Sequence, residues 1–222
     1  MDIHGTNALV TGASRGLGAA LARRLAERGA RVVAVARESA ALDDVVASIR
    51  AFGGHAHAVP ADLGDKQAIH PLAGAAAALV GPIDLLVHNA STLGAVPLVP
   101  LLDTECEDLE RVLAVNLVGP FRLTKAIAGG MAVRGGGTVV HVTSDAAVTA
   151  YPTWGAYGLS KAAHDHMLRI WATELPAVRF LSFDPGEMNT KMHADAMPDA
   201  DPATLADPDD VARRLIATLE AP

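Results

Sequence analysis

Cysteine occurs once in 222 residues, at Cys106, so no internal disulfide can brace the fold and a reducing compartment is expected. Positive charge is in deficit. The 18 Lys and Arg residues are outnumbered by 25 Asp and Glu, a net charge of −7, which argues against a nucleic-acid-binding surface. Long apolar runs are missing too; Ala75 to Val80 is a short one, well below the length of a bilayer span. The first residues lack a basic segment followed by an apolar stretch, so no signal peptide is expected. Nine histidines are present without a cysteine cluster. His55 and His57 alternate on an expected strand, and His164 and His166 are two apart on an expected helix. No metal site is expected from them, and they read as packing or surface residues. These absences leave a soluble cytoplasmic protein with no membrane or nucleic-acid partner.

What is present points to a layered α/β fold. Half of the residues are hydrophobic and alanine is abundant, which fits helices packed on both faces of a sheet. The length suits one domain over residues 1–222 with a sizeable core. Apolar runs at 7–11, 31–36, 55–59, 83–87, 138–142 and 178–183 read as strands, and helical patterns separate them. That alternation predicts a doubly wound parallel sheet of six strands.

Five strand ends carry the chemistry. The first strand runs directly into Gly12-Ala13-Ser14-Arg15-Gly16-Leu17-Gly18 and then a helix. Glycines let a backbone approach a pyrophosphate, and a helix N-terminus offers unpaired N–H groups with a positive dipole end. Arg37 follows the second strand, where an acid would hold a ribose 2′-hydroxyl; an arginine accommodates a 2′-phosphate instead, with Arg15 close by. Asp62, beyond the third strand, either meets an adenine amino group or caps a helix beginning near Asp65. After the fourth strand, Asn89 and Ala90 suit close passage of a cofactor ribose. Asn116 lies among apolar neighbours in a helical region from Asp103 toward Met131, bent near Gly119-Pro120. It is either a buried amide needing partners or a helix kink with local bonding. Ser144 follows the fifth strand, and Tyr157 and Lys161, four apart, share one face of the next helix. A nearby ammonium favours a phenolate, so Lys161 is expected to lower the Tyr157 pKa and fit it for general acid–base work. Ser144 would hold the same substrate oxygen.

Thr11-Gly12-Ala13-Ser14-Arg15-Gly16-Leu17-Gly18, Asp62-Leu63, His88-Asn89-Ala90-Ser91, then Asn116, Ser144, Tyr157 and Lys161, and finally Asp184-Pro185-Gly186-Glu187-Met188-Asn189-Thr190 occur in that order. With these residues the chain resembles the short-chain dehydrogenase/reductase family, in its compact single-domain branch. The resemblance implies one NAD(P)-binding Rossmann domain that interconverts a carbonyl and an alcohol, with NADP(H) preferred and NAD(H) possible. It implies cofactor contacts from Gly12, Ser14, Arg15, Gly16, Leu17, Gly18, Arg37, Asp62, Leu63, Asn89, Ala90, Tyr157, Lys161, Pro185, Gly186, Met188 and Thr190. Asn116, Ser144, Tyr157 and Lys161 match its catalytic tetrad, with Asn116 anchoring a water that leads from Lys161 to solvent. The alternative on the same fold is a regulatory or scaffold protein that binds the cofactor; such proteins usually lack tetrad members. A nucleotide-sugar epimerase or dehydratase shares Tyr-x-x-x-Lys but typically has another glycine spacing and a longer C-terminal domain. His88 stands where the family has Asn. The family also continues into a seventh strand, and this chain stops at Pro222, so Val178 to Phe183 is expected at the sheet edge. Shielding by the 187–206 segment, read as a mobile substrate loop, by the last helix, or by a partner is expected, as is a homodimer.

Overall fold

The structure is a computed structural model, described here for residues 1–221. Six parallel strands form one sheet: β1 (Asn7–Thr11), β2 (Arg31–Ala36), β3 (His55–Pro60), β4 (Leu85–His88), β5 (Thr138–Val142) and β6 (Arg179–Phe183). Their order is β3-β2-β1-β4-β5-β6. The order reverses between β1 and β4, and doubly wound sheets open a ligand crevice at the carboxyl end of such a switch point.

The apolar strands are explained by burial on both faces. Ala8 and Val10 of β1 point into one core with helices α1 (Gly16–Glu27), α2 (Ser39–Ala51) and α8 (Pro208–Glu220). Leu9 points the other way, among residues of α3 (Ile69–Val80), α5 (Gly119–Val133) and α6 (Gly155–Glu174). Each fully buried Leu or Val contributes about 1.5–3 kcal/mol through area removed from water. Helix α1 ends before Gly29, whose φ is +84°. Helix α8 is capped by Asp207, whose side chain accepts from the Asp209 N–H at 2.7 Å.

Several boundaries differ from the sequence reading. The helix expected near Asp65 starts at Ile69, because Asp62 and Asp65 accept from the backbone N–H groups of Gly64 (2.9 Å) and Gln67 (2.8 Å) and hold the chain in turns. The helical region expected from Asp103 follows a short 3₁₀ turn, Leu101–Asp103, starts as α4 (Cys106–Leu113), and passes through a π-turn, Ala114–Val118, into α5. The irregularity therefore centres on Asn116, not on Gly119-Pro120. By length and composition alone, the continuous run Cys106–Val133 is apolar enough to cross a bilayer. Its Val112, Leu123 and Met131 are instead fully buried within the domain.

Segment 187–206 contains α7 (Lys191–Ala196) and a bridge between Met188 and Ala206. Strand β6 pairs only with β5. The last helix reaches it through side chains: the Arg179 guanidinium donates to the carbonyls of Thr218 and Leu219, and Arg214 lies over the Phe183 ring. No other element pairs with the outer backbone edge of β6 among the described residues, so the shielding expected of that edge is a side-chain cover at most.

Candidate active site

Strand β1 is stapled to β4 at the switch point. The Thr11 hydroxyl donates to the Val87 carbonyl at 3.1 Å and accepts from the N–H groups of Asn89 (3.0 Å) and Ala90 (3.1 Å). The Asn89 amide donates to the Thr11 and Gly12 carbonyls at 3.0 and 3.1 Å. This close approach demands glycine at Gly12, where φ is +67° and a Cβ would sit 2.8 Å from the Ala90 Cα. A Cβ on Gly18 would overlap the Gly12 carbonyl.

Beside this turn opens a cleft of about 550 Å³. Gly12, Ser14, Arg15, Gly16 and Leu17 form one wall, and Arg37, Asp62 and Leu63 form the next. Asn89, Ala90, Met188 and Thr190 close it. Gly18 lies behind the turn, while Pro185 and Gly186 lie outside this lining; the Gly186 N–H donates to Asp184. No side chain caps the first turn of α1, so its N–H groups are available to an anion. With two arginines on the rim, the residues fit a dinucleotide carrying phosphates. Arg15 is partly committed, through an exposed ion pair with Glu38 at 3.0 Å. Glu38, Arg111 and Val115 are lining residues that the sequence did not single out. Arg111 and Val115 come together only through the helical spacing of a region whose irregularity the sequence hid.

Asn116, Ser144, Tyr157 and Lys161 lie outside this lining; Tyr157 packs against Leu93 of the cleft and sits buried in the first turn of α6, with the edge of the Trp154 ring against it at a centroid distance of 5.7 Å. Burial pushes its phenol up to about 12, and the Ser144 and Ser91 hydroxyls beside it work the other way. The lowering expected from Lys161 is absent. Its ammonium lies 5.5 Å from the centroid of the Tyr157 ring, over the ring face, and donates to the Val142 carbonyl at 2.6 Å. Desolvation therefore wins over the neighbouring charge. Lys161 is itself buried, which brings it down to about 8. The Ser144 hydroxyl accepts from the Ala146 N–H at 3.2 Å and donates to Asp145 at 3.0 Å.

Asn116 is a buried amide with every polar atom engaged. Its side chain accepts from the Thr92 N–H (2.8 Å) and donates to the Thr92 carbonyl (2.8 Å) and the Ser160 hydroxyl (3.0 Å). It ties the loop after β4 to α6. Its own carbonyl lies 3.0 Å from His164 Nδ1.

His164 is one of three buried histidines; the sequence reading took the histidines as packing or surface residues and marked His88 only as standing where the family has Asn. His88 and His141 are register partners on β4 and β5. The His141 ring stacks on His164 at 3.5 Å, and His88 lies 5.5 Å from His164. His88 Nε2 meets the Thr124 hydroxyl at 2.7 Å, while Nδ1 of His88, both nitrogens of His141 and Nε2 of His164 have no hydrogen-bond partner among the described residues; the Asp165 carboxylate lies 3.9 Å from His141 Nε2. Burial holds all three imidazoles well below the usual histidine range, with the Lys161 charge adding to the effect.

Comparison with known proteins gives this geometry a lineage. Residues 6–201 match the family model described as short chain dehydrogenase. An uncharacterised oxidoreductase of Mycobacterium tuberculosis is 39% identical over 185 residues, covering 82% of this chain and 69% of the relative. A fatty acyl-CoA reductase of the same organism is 38% identical over 175 residues, and there the match spans 78% of this chain but 59% of the relative. A metagenomic short-chain oxidoreductase solved in complex with NADP superposes with a TM-score of 0.84 at 32% identity, covering 99% of this chain and 92% of that one. The chain belongs to the short-chain dehydrogenase/reductase family of oxidoreductases.

Proposed function

We propose that the chain is an NADP(H)-dependent oxidoreductase that interconverts a carbonyl and a secondary alcohol. The observation that carries this reading is the Ser144 hydroxyl beside the buried Tyr157 phenol, with Ser91 of the glycine-turn cleft on the same phenol. The cofactor, when bound, supplies or takes the hydride at the carbonyl carbon. Tyr157 gives its proton to the substrate oxygen during reduction and takes it back during oxidation. A phenol pushed up to about 12 is fully protonated at neutral pH and is therefore ready as the acid. Ser144 turns its hydroxyl from Asp145 toward the same oxygen and stabilises the charge that develops there. Lys161, buried and brought down to about 8, can hold or release a proton behind the phenol within one pH unit of neutrality. Asn116 holds the Thr92 loop against α6 and so keeps the two walls of the site in register. NADPH oxidation against a panel of small carbonyl compounds tests the reading. Tight cofactor binding without turnover of any of them would favour the scaffold alternative.

Arg37 lines the cleft and makes no ion pair among the described residues, so its charge is available for a 2′-phosphate. A charge-assisted bond of this kind contributes about 1.5–3 kcal/mol, so binding of NADP(H) is expected to exceed that of NAD(H) by about tenfold or more. Dissociation constants for both cofactors with wild type and Arg37→Asp check this. Equal affinities in the wild type would reduce Arg37 to a surface charge.

A homodimer fits the outer faces of α5 and α6. There Phe121 and Ile170 are exposed, beside Leu117, Val118 and Met167, and Phe121 stacks on Trp171 at 5.9 Å. Light scattering is expected to give twice the chain mass, and Phe121→Glu is expected to shift it toward the monomer. A stable tetramer would contradict the assignment. The exposed single thiol of Cys106 is compatible with the cytoplasm as its compartment.

A further inference from the structure

The loop that follows β4 is fastened on both sides of Ser91. Ala90, before it, donates its N–H to the Thr11 hydroxyl at 3.1 Å. Thr92, after it, has both backbone groups on the Asn116 side chain, each at 2.8 Å. Ser91 lines the cleft between these two anchors, yet its hydroxyl oxygen is withdrawn from solvent and has no hydrogen-bond partner among the described residues. A buried hydroxyl without a partner costs free energy, and a backbone pinned on both sides keeps the residue from moving to find one.

The group it faces is the Tyr157 phenol. Ser91 and Ser144 are the two hydroxyls beside that oxygen, one from the loop after β4 and one from the end of β5. The charged groups around the phenol are Asp145 from the turn after β5, Asp184 from beyond β6, and Lys161 from α6, whose ammonium lies over the ring face and donates to the Val142 carbonyl. Helix α7 presents the apolar Met192 and Ala196 to the same cluster, and the loop after β4 adds Leu93 and Leu98. A phenolate formed here meets two carboxylates and needs a donor at its oxygen. Ser144 already donates to Asp145 and, in the reaction proposed above, turns to the substrate oxygen. Ser91 is the hydroxyl that stays with the phenol.

We propose that Ser91 is a positioning residue for the proton transfer: its hydroxyl donates to the Tyr157 oxygen as the phenol gives up its proton. In reduction the Tyr157 O–H bond breaks and the alcohol O–H bond forms, while Ser91 keeps its own proton and bonds to the phenolate left behind. In oxidation the same bond holds the phenolate ready to take the proton of the alcohol. A hydrogen bond to the charged form favours that form, so Ser91 offsets part of what burial and the two carboxylates impose on the phenol. The inference rests on the reading of Tyr157 as the proton-transfer group.

The test has a readout that needs no turnover. Both tyrosines of the chain are replaced biosynthetically by 3-fluorotyrosine, whose phenol is more acidic, and the Tyr157 signal is assigned by its loss in Tyr157→Phe. Its fluorine-19 shift is then titrated in the cofactor-free protein. Ser91→Ala is expected to raise the midpoint by about one pH unit. Ser91→Thr, which keeps a hydroxyl, is expected to bring the midpoint back toward the wild type. The ionisation in the pH profile of kcat for alcohol oxidation is expected to move with it, while the cofactor dissociation constant stays within about twofold. An unmoved midpoint in Ser91→Ala overturns the proposal, and so does an equal shift in Ser91→Thr. Should Ser91→Thr fail to fold, Ser91→Ala decides alone: a raised midpoint with unchanged cofactor affinity supports the bond, and lost affinity with an unmoved midpoint makes Ser91 a packing residue of the cleft. If the wild type turns over no carbonyl while the midpoint shifts as expected, the oxidoreductase reading fails and the hydrogen bond stands. Turnover by the wild type with no shift in Ser91→Ala sinks the bond alone.

Discussion

Tyr157→Phe is expected to lower turnover by at least about a thousandfold while cofactor affinity stays within about twofold. The substitution removes one oxygen and keeps the ring, so the contact with Trp154 and the position over which Lys161 lies are retained. Only the group proposed to deliver the proton is lost. The loss should appear in kcat with little change in the cofactor dissociation constant measured by calorimetry. Substantial residual turnover would assign the proton to another group, and a matching loss of cofactor affinity would recast Tyr157 as a binding residue. Because burial raises the phenol in the free protein, the oxidation direction, which needs the phenolate, should gain rate as pH rises. Reduction should not.

The second large effect is on stability in acid. His88 is fully buried and depressed from 6.5 to about 3, so the unfolded chain takes up its proton several pH units before the native state does. A group of this sign stabilises fully above pH 6.5, and its contribution is lost as pH falls from there toward 3. For His88 alone the loss comes to about 5 kcal/mol, comparable to the whole stability of many domains. His141 and His164 are shifted in the same direction by the same burial, and the loss grows accordingly. The melting temperature is therefore expected to fall steeply between pH 6.5 and 4.5. His88→Asn replaces the titrating ring by an amide and should flatten that fall. A melting temperature independent of pH over this range would mean that the imidazoles are not buried as neutral rings.

Much of this arrangement could be read from the residues alone. The strands were visible because parallel strands covered on both faces are apolar throughout, and the glycine turn was visible because no other residue fits where β1 meets β4. Asn116, Ser144, Tyr157 and Lys161 were singled out by type and order, and the structure places Ser144 beside Tyr157, Lys161 over its ring and Asn116 on Ser160 of the same helix. What escaped the sequence depends on three-dimensional closeness. His88, His141 and His164 are spread over 77 positions, and only the β4–β5 register and the packing of α6 bring the rings together. The direction of the Tyr157 shift was misjudged for a related reason. Spacing reveals a neighbouring charge, whereas the larger effect of burial depends on everything packed around the phenol. The π-turn was hidden because Ala114 to Val118 is as helical in composition as its flanks.

The placement of the only two tryptophans separates two observable events. Trp154 touches the Tyr157 ring inside the site, and Trp171 stacks on Phe121 at the opposite, outer face. Intrinsic fluorescence is therefore expected to divide by location: emission from Trp154 with occupancy of the crevice and, on the proposed dimer, emission from Trp171 with dilution. With Trp171→Phe the protein becomes a single-fluorophore reporter of ligand arrival, and with Trp154→Phe its one remaining tryptophan tests the proposed association between chains.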